Sequence, residues 1–370
     1  RFLWKQVKFP LATDASNAAV QVLKEGEVQG SHVAAHSAGV LDIRTNILAD
    51  TDALYLTAID KYGHELWRWT FLVDKLNQQT EQLSPLSSRP TYTETENDLT
   101  VKANKRTFIF SKKDGQLKGV SVDNRKINFA NGPRFIGARR ADRSLDQFYN
   151  HDDEKAKEKD RTYSEFPDAA VFTKLDVKQD GGDLIVTANY KLGNLDKAQW
   201  TINPSGDLAL DYTYNFSGVV DLMGIRFDYP EDQVISKRWL GAGPYRVWQN
   251  RIHGTQYDVW ENDYNDPIPG ETFTYPEFKG YFGNVSWMNI QTKEGTISLT
   301  NETPDAYIGV YQPRDGRDRL LYTLPESGIS VLNVIPPVRN KVNSTDLCGP
   351  SSQPKWVNGP QTGRVIFRFM

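Results

Sequence analysis

Apolar and polar residues alternate along most of the chain, which is the pattern of β-strands with one buried face. Residues 54–73 alternate on both sides of a polar DKYGHE segment, which predicts two strands joined by a turn containing glycine. Residues 99–127 alternate in the same way around a break at residues 113–115. The pattern recurs in DLIVTANYKL, DLALDYTYNF and GTISLTN. Strands follow one another without intervening helices, so the pattern predicts an all-β protein.

Two segments lack this alternation. Residues 76–95 are rich in Gln, Ser, Thr and Pro, which predicts a linker. Residues 145–160 are dominated by charges without an apolar stripe, so we expect a solvent-exposed loop there. The linker divides the chain into residues 1–88, the size of an immunoglobulin-like sandwich with its linker, and a large all-β domain of residues 89–370.

Composition excludes several classes of protein. The 44 Lys and Arg residues nearly balance the 47 Asp and Glu residues of the 370-residue chain, so we expect no nucleic-acid partner. No apolar run is long enough to span a membrane, so we expect no membrane partner. The single cysteine, Cys348, cannot form an intrachain disulfide or a cysteine-based metal site. The acids at positions 152–154 are consecutive and do not fit a calcium loop, and we predict no metal and no cofactor.

Residues 239–251 (WLGAGPYRVWQNR), which we call the signature segment, combine two Gly, one Pro, two Trp and two Arg residues. Gly and Pro fix an unusual backbone path, and Trp and Arg are residues that proteins present to sugar rings or partner surfaces. We expect Gly243 and Pro244 to form a tight turn and Trp239 to be largely buried. We expect Arg251 to pair with a carboxylate or with backbone carbonyls under the loop.

Several segments resemble family 2 glycoside hydrolases of the β-galactosidase type. The hairpin ending in ELWRWTFLVD is followed by the linker, by KRTFIFSKKDGQL with its Phe-x-x-x-x-Gly-x-Leu pattern, and by NGPRFIGARRAD. The signature segment is similar to the family's Trp-x-Gly-x-Gly-Pro-x-x-x-x-x-x-Arg motif, carried here by Trp239, Gly241, Gly243, Pro244 and Arg251. Downstream, PEFKGYFGNVSWMNI matches another family segment at Pro276, Gly280, Val285 and Trp287.

The resemblance implies an immunoglobulin-like sandwich followed by a galactose-mutarotase-like β-supersandwich. It also implies that the catalytic carboxylates lie on an upstream TIM-barrel domain of the same protein, so this chain carries no catalytic residue and serves to scaffold and shape the substrate cleft. The partner would be a β-linked glycan, and the setting bacterial, periplasmic or extracellular. The chain departs from the family pattern at Arg246 and Asn250, where the family has acids, and at Phe278 and Lys279, where it has Glu and Asn. The sugar is therefore left open.

The resemblance also indicates which residues border the cleft. The candidates for substrate binding are Arg246, Trp248, His253, Trp260 and Trp356. Trp356 is included because the family carries a cleft-facing Trp in a loop before its last strand, which here is GRVIFRFM. We expect these side chains to approach one another on one concave face of the larger domain.

Two alternatives remain open at this point. A stand-alone mutarotase or epimerase on the same fold would need a His and an acid at its site, and His253 is the credible candidate among the five histidines. A carbohydrate-binding module would use an aromatic platform with polar neighbours, and residues 258–266 (DVWENDYND) supply those residue types. In that segment Trp260 and Tyr264 could equally be packing residues, and Asp263 and Asp266 could form turns.

Overall fold

The structure is a computed structural model, and it describes residues 1–73, 88–140, 163–263, 280–311, 324–337, 351 and 353–370. The regular elements in these ranges are β-strands and one short 3₁₀ turn, Glu231–Gln233. The all-β prediction is confirmed. In the same ranges no helix is long and apolar enough to cross a membrane. The predicted loop at residues 145–160 lies outside the described residues.

The chain divides into two units. The small unit consists of Arg1–Gln82 and Gln256–Val259, and the large unit of Leu83–Thr255 and Trp260–Met370. The alternation of apolar and polar residues gave no sign that residues 256–259 would group with the first unit.

The small unit contains a four-stranded antiparallel sheet in the order β2-β1-β3-β4. Its strands are β1 (Phe2–Lys8), β2 (Gln21–Val28), β3 (Ala53–Ile59) and β4 (Glu65–Leu72). The hairpin predicted in residues 54–73 is confirmed as β3 and β4, and Gly63 takes a positive φ of 91° in its turn. Glycine suits this conformation because it has no Cβ to clash with the backbone.

Asp258 holds the returning segment within the small unit. Its carboxylate accepts hydrogen bonds from the Tyr55 hydroxyl at 2.7 Å and from the Arg68 guanidinium at 2.6 Å. The Arg68 guanidinium also lies over the Tyr55 ring, 4.5 Å from its centroid. Burial, together with the Asp258 charge, raises the pKa of Tyr55 above its ordinary value. This polar cluster gives residues 256–259 a specific position within the small unit.

The first sheet of the large unit has the order β21-β22-β16-β10-β8-β7-β6-β5, with β11 beside β10 and β9 beside β8. Its strands are β5 (Thr91–Glu94), β6 (Asp98–Ala103), β7 (Arg106–Ser111), β8 (Leu117–Val122), β9 (Arg125–Ile127), β10 (Ala130–Arg140), β11 (Tyr163–Glu165), β16 (Leu222–Asp228), β21 (Tyr307–Gly309) and β22 (Ile329–Val334). The prediction of an unstructured linker up to residue 95 was wrong at β5. This strand forms because its backbone pairs with β6, a contact that residue composition does not reveal.

The second sheet has the order β12-β13-β14-β15-β23-β20-β19-β17-β18. Its strands are β12 (Val171–Asp180), β13 (Asp183–Lys191), β14 (Leu195–Ile202), β15 (Leu208–Val220), β17 (Val234–Gly243), β18 (Gln256–Asp263), β19 (Trp287–Thr292), β20 (Gly295–Asn301) and β23 (Lys355–Phe369). The predicted strands in DLIVTANYKL, DLALDYTYNF, GTISLTN and GRVIFRFM are confirmed as β13, β15, β20 and β23. Asp263 is the last residue of β18, and Tyr264 and Asp266 lie outside the described residues.

The two large sheets pack face to face around one apolar core, as the supersandwich prediction requires. Phe110 of β7 meets Trp200 of β14 with ring centroids 6.0 Å apart. Phe135 of β10 meets Tyr214 of β15 at 5.4 Å. All four side chains are buried, with exposed fractions between 0% and 3%. Large aromatic side chains fill the space between the sheets, and this explains the aromatic content of the sequence.

Candidate functional site

The signature segment begins inside β17, where Trp239 is fully buried. Its ring meets the Phe282 ring edge-on, with centroids 5.0 Å apart. Its indole Nε1 donates a hydrogen bond to the backbone oxygen of Ala242 at 3.0 Å. A buried indole N–H needs an acceptor, and the backbone of the same segment supplies it. The prediction that Trp239 is buried is confirmed.

The two glycines of the segment stand where a side chain would collide with a neighbour. A Cβ on Gly241 would lie 3.0 Å from the backbone oxygen of Asn284, and a Cβ on Gly243 would lie 2.4 Å from Cδ1 of Trp260. Trp260 is half-buried, and its Nε1 donates to the backbone oxygen of Gly241 at 3.1 Å. The Gly243–Pro244 peptide bond is cis, and the chain bends there. The glycines therefore allow Asn284 and Trp260 to lie close to the backbone of β17.

Backbone hydrogen bonds hold the chain beyond Pro244. The amide of Val247 donates to the carbonyl of Tyr281 at 2.7 Å, and the amide of Tyr281 donates back at 2.8 Å. The amide of Arg251 donates to the carbonyl of Trp248 at 2.9 Å and closes a tight turn over residues 248–251. This part of the segment is thus paired with a distant part of the chain and does not form a free loop.

Trp248 is buried, with 4% of its surface exposed. It packs edge-on against Tyr281, with centroids 5.9 Å apart, and joins a second apolar cluster that includes Ile136 and Leu222. We expected Trp248 to offer a stacking surface to a sugar. The side chain is almost entirely covered by protein, and a direct sugar contact by Trp248 stays a prediction.

Arg246 is also buried, with an exposed fraction of 3%. Its guanidinium carbon lies 5.1 Å from the centroid of the Tyr311 ring and 6.0 Å from that of Phe282. Aromatic faces attract a cation and offset part of the cost of removing it from water. Burial raises the pKa of Tyr281, Tyr163 adds to that effect, and the charge of Arg246 opposes it. Arg246 thus provides a buried positive charge within the signature segment.

Two further buried cations precede the signature segment, and the sequence analysis did not single them out. Lys237 is 1% exposed; its Nζ lies 4.7 Å from the Tyr311 ring centroid and donates to the backbone oxygen of Asp263. Arg238 is 9% exposed, and its guanidinium carbon lies 5.6 Å from the ring centroid of Trp287. Alternation along β17 could have indicated Lys237, because it lies two residues before the buried Trp239 and so on the same face.

Gln249 ties the signature segment to the C-terminal part of the chain. Its Nε2 donates to the backbone oxygens of Ser351 at 2.9 Å and Gln353 at 2.7 Å. Its backbone amide donates to the carbonyl of Pro336 at 3.1 Å. The side chain is 7% exposed. One buried residue, through its side-chain and backbone amides, therefore links the signature segment to the chain around Pro336 and to residues 351–353.

The exposed rim of the segment consists of Arg251, Ile252 and His253. Arg251 is exposed at the end of this tight turn, and its expected pairing with a carboxylate or with backbone carbonyls stays a prediction. The Tyr245 hydroxyl is 3.5 Å from the backbone oxygen of His253. Burial raises the pKa of Tyr245, and the nearby charge of Arg251 opposes this effect. The rim therefore carries one permanent cation and one imidazole.

Trp356 is 71% exposed and lies on β23 opposite Val219 of β15. Trp356 is the second residue of β23, so the expectation of a loop at this position was wrong, because the backbone there already pairs with β15. Gln353, whose carbonyl Gln249 binds, lies just before this strand. The bond from Gln249 thus connects the C-terminal segment to the signature segment through Gln353. A role of Trp356 in substrate binding stays a prediction, and Cys348 lies outside the described residues.

The downstream family segment packs directly against the signature segment. A Cβ on Gly280 would lie 2.0 Å from the backbone oxygen of Val247. Val285 and Trp287 are buried, and Trp287 pairs with Leu240 across β17 and β19. The two sequence motifs of the resemblance are therefore neighbours in space, although Arg251 and Gly280 are 29 positions apart in the sequence. Pro276 lies outside the described residues.

The arrangement combines buried cations, aromatic rings and a backbone-fixed turn beneath a rim that bears Arg251 and His253. Such a frame can present hydrogen-bond donors to a polyhydroxylated ligand with little loss of conformational entropy. The described ranges contain no group of three or more His, Cys, Asp or Glu side chains placed to hold a metal ion.

Comparisons with known proteins bear on this site. A family model described as beta galactosidase small chain matches residues 102–335. A comparison with curated proteins gives no match. Among solved structures, the chain is similar to galactose 1-epimerase from Lactobacillus acidophilus NCFM, with a TM-score of 0.40, 10% identity and coverage of 77% of this chain and 99% of that chain. It is also similar to the GalM/aldose epimerase homologue from C. elegans, with a TM-score of 0.36, 7% identity and coverage of 76% and 99%.

Proposed function

The chain belongs to the beta galactosidase small chain family, which residues 102–335 match, and from this premise we propose that it is the non-catalytic, cleft-shaping part of a family 2-like glycoside hydrolase. The parent enzyme would hydrolyse β-linked glycans with a pair of carboxylates on an upstream TIM-barrel domain. The partners of this chain would be that domain and the carbohydrate. The setting would be bacterial and periplasmic or extracellular.

The observation that carries the proposal is the rigid attachment of the signature segment. Gln249 binds Ser351 and Gln353 through its side chain and Pro336 through its backbone. Val247 pairs with Tyr281 in both directions. The segment is thus anchored to parts of the chain that lie within and after the matched family region.

Rigid attachment matters because a cleft wall must already have its shape before the substrate arrives. A loop that orders on binding loses about 0.5–1.5 kcal/mol of affinity for each side chain that becomes immobile. The rim residues Arg251 and His253 can donate hydrogen bonds to sugar hydroxyls from a turn that is already formed. The buried Arg246, Trp248 and the half-buried Trp260 would act from beneath by holding this turn in place.

Assays of the purified chain test the proposal. Residues 1–370 should leave aryl β-D-galactosides unhydrolysed, whereas the complete protein that contains this chain should hydrolyse them. Turnover by the isolated chain that is abolished when one of its own acids is replaced would contradict the proposal.

Polarimetry separates the epimerase alternative from the proposed function. We expect the purified chain to leave the mutarotation rate of α-D-galactose at the buffer value. Acceleration by the chain that disappears in His253→Ala would favour a stand-alone epimerase.

A further inference from the structure

We propose that a polar cavity at the far end of strands β10 and β16 binds a small acidic sugar, one that carries a carboxylate as well as hydroxyl groups. The cavity has a volume of about 380 Å³, within the range of about 300–1,000 Å³ that is typical of small-molecule sites. This inference depends on the cavity walls alone and not on the function proposed above.

The cavity is separate from the signature segment. Ala130 and Asp228, which pair across β10 and β16, both line it. Ala138 and Leu222, which pair at the other end of the same two strands, belong to the apolar cluster around Trp248. Eight residues of strand separate Ala130 from Ala138, which corresponds to about 26 Å. A ligand in the cavity would therefore not touch the signature segment.

The cavity walls carry three cations, Lys118, Lys126 and Arg226, and two carboxylates, Asp228 and Glu326. Asp228 is already engaged, because it accepts hydrogen bonds from the Arg134 guanidinium and from the Asn131 amide, the latter at 2.9 Å. Lys118 is engaged with Asp98 at 3.0 and 3.1 Å.

Of the three cavity cations, Lys126 and Arg226 are the two that can bind a ligand. Lys126 is exposed, and in the described part of the chain it makes no ion pair. Arg226 donates one guanidinium N–H to the backbone oxygen of Glu326. Its Nε is buried and has no hydrogen-bond partner among the described residues. A buried donor without an acceptor is costly, so the guanidinium of Arg226 is only partly satisfied within the described chain.

These two groups favour a carboxylate. The planar guanidinium of Arg226 matches the geometry of a carboxylate, and the ammonium of Lys126 adds a mobile positive charge. The exposed carboxylate of Glu326 can accept hydrogen bonds from hydroxyl groups on the same ligand.

Asn128 and Asn131 extend the polar wall and are held in fixed positions. The side-chain amide of Asn128 donates to Glu294, and that of Asn131 donates to Asp228. The side-chain oxygens of Asn128 and Asn131 therefore stay available as acceptors for hydroxyl groups. Tyr229, whose hydroxyl donates to Glu294 at 3.2 Å, contributes an aromatic wall. Cationic donors, hydroxyl acceptors and one aromatic ring together suit an acidic sugar better than a neutral sugar or a simple anion.

Titration of the purified chain with D-glucuronate and D-galacturonate, followed by calorimetry or NMR, tests the assignment. We expect one of them to bind with a dissociation constant of about 1 mM, and D-glucose and D-galactose to bind at least about tenfold more weakly. Binding of a neutral sugar with equal affinity would overturn the assignment, and so would equal binding of inorganic phosphate, which would indicate a general anion site.

Lys126→Gln is the informative variant because Lys126 is exposed and its replacement leaves the fold intact. We expect it to weaken uronate binding about fivefold or more. Lys105→Gln removes the same charge from an exposed Lys that pairs with Asp123 and does not line the cavity, and it should bind as the unmodified chain does. Equal affinities for the two variants would place the uronate elsewhere and overturn the assignment.

Discussion

The indole ring of Trp260 lies against the α-carbon of Gly243, so closely that a Cβ at that position would be 2.4 Å from Cδ1 of the ring. This contact closes the end of β17, where the signature segment leaves the sheet. Because the indole Nε1 is also bound to the Gly241 carbonyl, the ring cannot move aside without breaking that bond. The position of the Trp260 ring therefore explains why residue 243 of the family motif is a glycine.

Gly243→Ala should therefore destabilise the chain by about 1–3 kcal/mol, as overpacking of a closed site does. Urea denaturation followed by tryptophan fluorescence measures the change in unfolding free energy. Gly119→Ala is the matched control, because a Cβ at Gly119 meets nothing within 4 Å, and its effect should stay within about 0.5 kcal/mol. Equal stabilities of the two variants would show that Trp260 does not close this site.

Trp239→Ala should lower the free energy of unfolding by about 3–5 kcal/mol, because it removes a fully buried indole and leaves a cavity beside Phe282. Trp356→Ala removes the same side chain from a site that is 71% exposed and should change stability by less than about 0.5 kcal/mol. Thermal or chemical denaturation of both variants gives the comparison. A Trp239→Ala variant as stable as Trp356→Ala would contradict the buried role of Trp239.

Gln249→Ala removes both side-chain hydrogen bonds to the C-terminal segment and should loosen that segment without unfolding the sheets. Each lost bond leaves a backbone carbonyl without its donor, which lowers the stability of the segment by about 1 kcal/mol. Hydrogen exchange should then rise around residues 353–357 and stay unchanged in β13. Gln361→Ala is the control, because the side-chain amide of Gln361 donates to the adjacent Pro360 carbonyl at an exposed site. Unchanged exchange in Gln249→Ala would mean that the bonds do not hold the segment.

Stability should fall as the pH rises above 10. Burial raises the pKa of Tyr212 to about 12, whereas an unfolded tyrosine has a pKa of about 10. The folded state therefore holds the proton more tightly, so this contribution is fully present below pH 10 and is lost as the pH rises through 12. Tyr212→Phe should reduce the loss between pH 10 and 12 when unfolding free energy is measured across that range. An identical pH dependence for the variant would contradict the raised pKa.

The strands that the sequence predicted are those whose side chains alternate between core and surface. In β13 the buried positions Leu184, Val186 and Ala188 alternate with half-buried ones, and the apolar pattern reports that directly. The burial of Trp239 was also predictable, because this large apolar side chain lies in a strand-like segment just before Gly241 and Gly243. Local sequence carries this information since alternation reflects which face of a strand meets the core.

The remaining features depend on residues that are distant in sequence. In the sequence Gln249 is an ordinary polar residue. Its role depends on Ser351 and Gln353, which are 102 and 104 positions away along the chain. Asp258 reaches across 203 positions to Tyr55. No local pattern predicts such partners. The burial of Trp248 was missed for the same reason, because the cluster that encloses it comes from several strands.

Steady-state hydrolysis of an aryl β-D-galactoside by the complete protein that contains this chain tests the cleft-shaping role most directly. Arg251→Ala removes an exposed rim cation and should lower kcat/KM about tenfold with an unchanged melting temperature, as expected for one lost hydrogen bond from a charged donor. Arg44→Ala, at another exposed Arg, should leave kcat/KM unchanged. If Arg251→Ala and Arg44→Ala both retain the full kcat/KM of the complete protein, the signature segment does not border the substrate cleft.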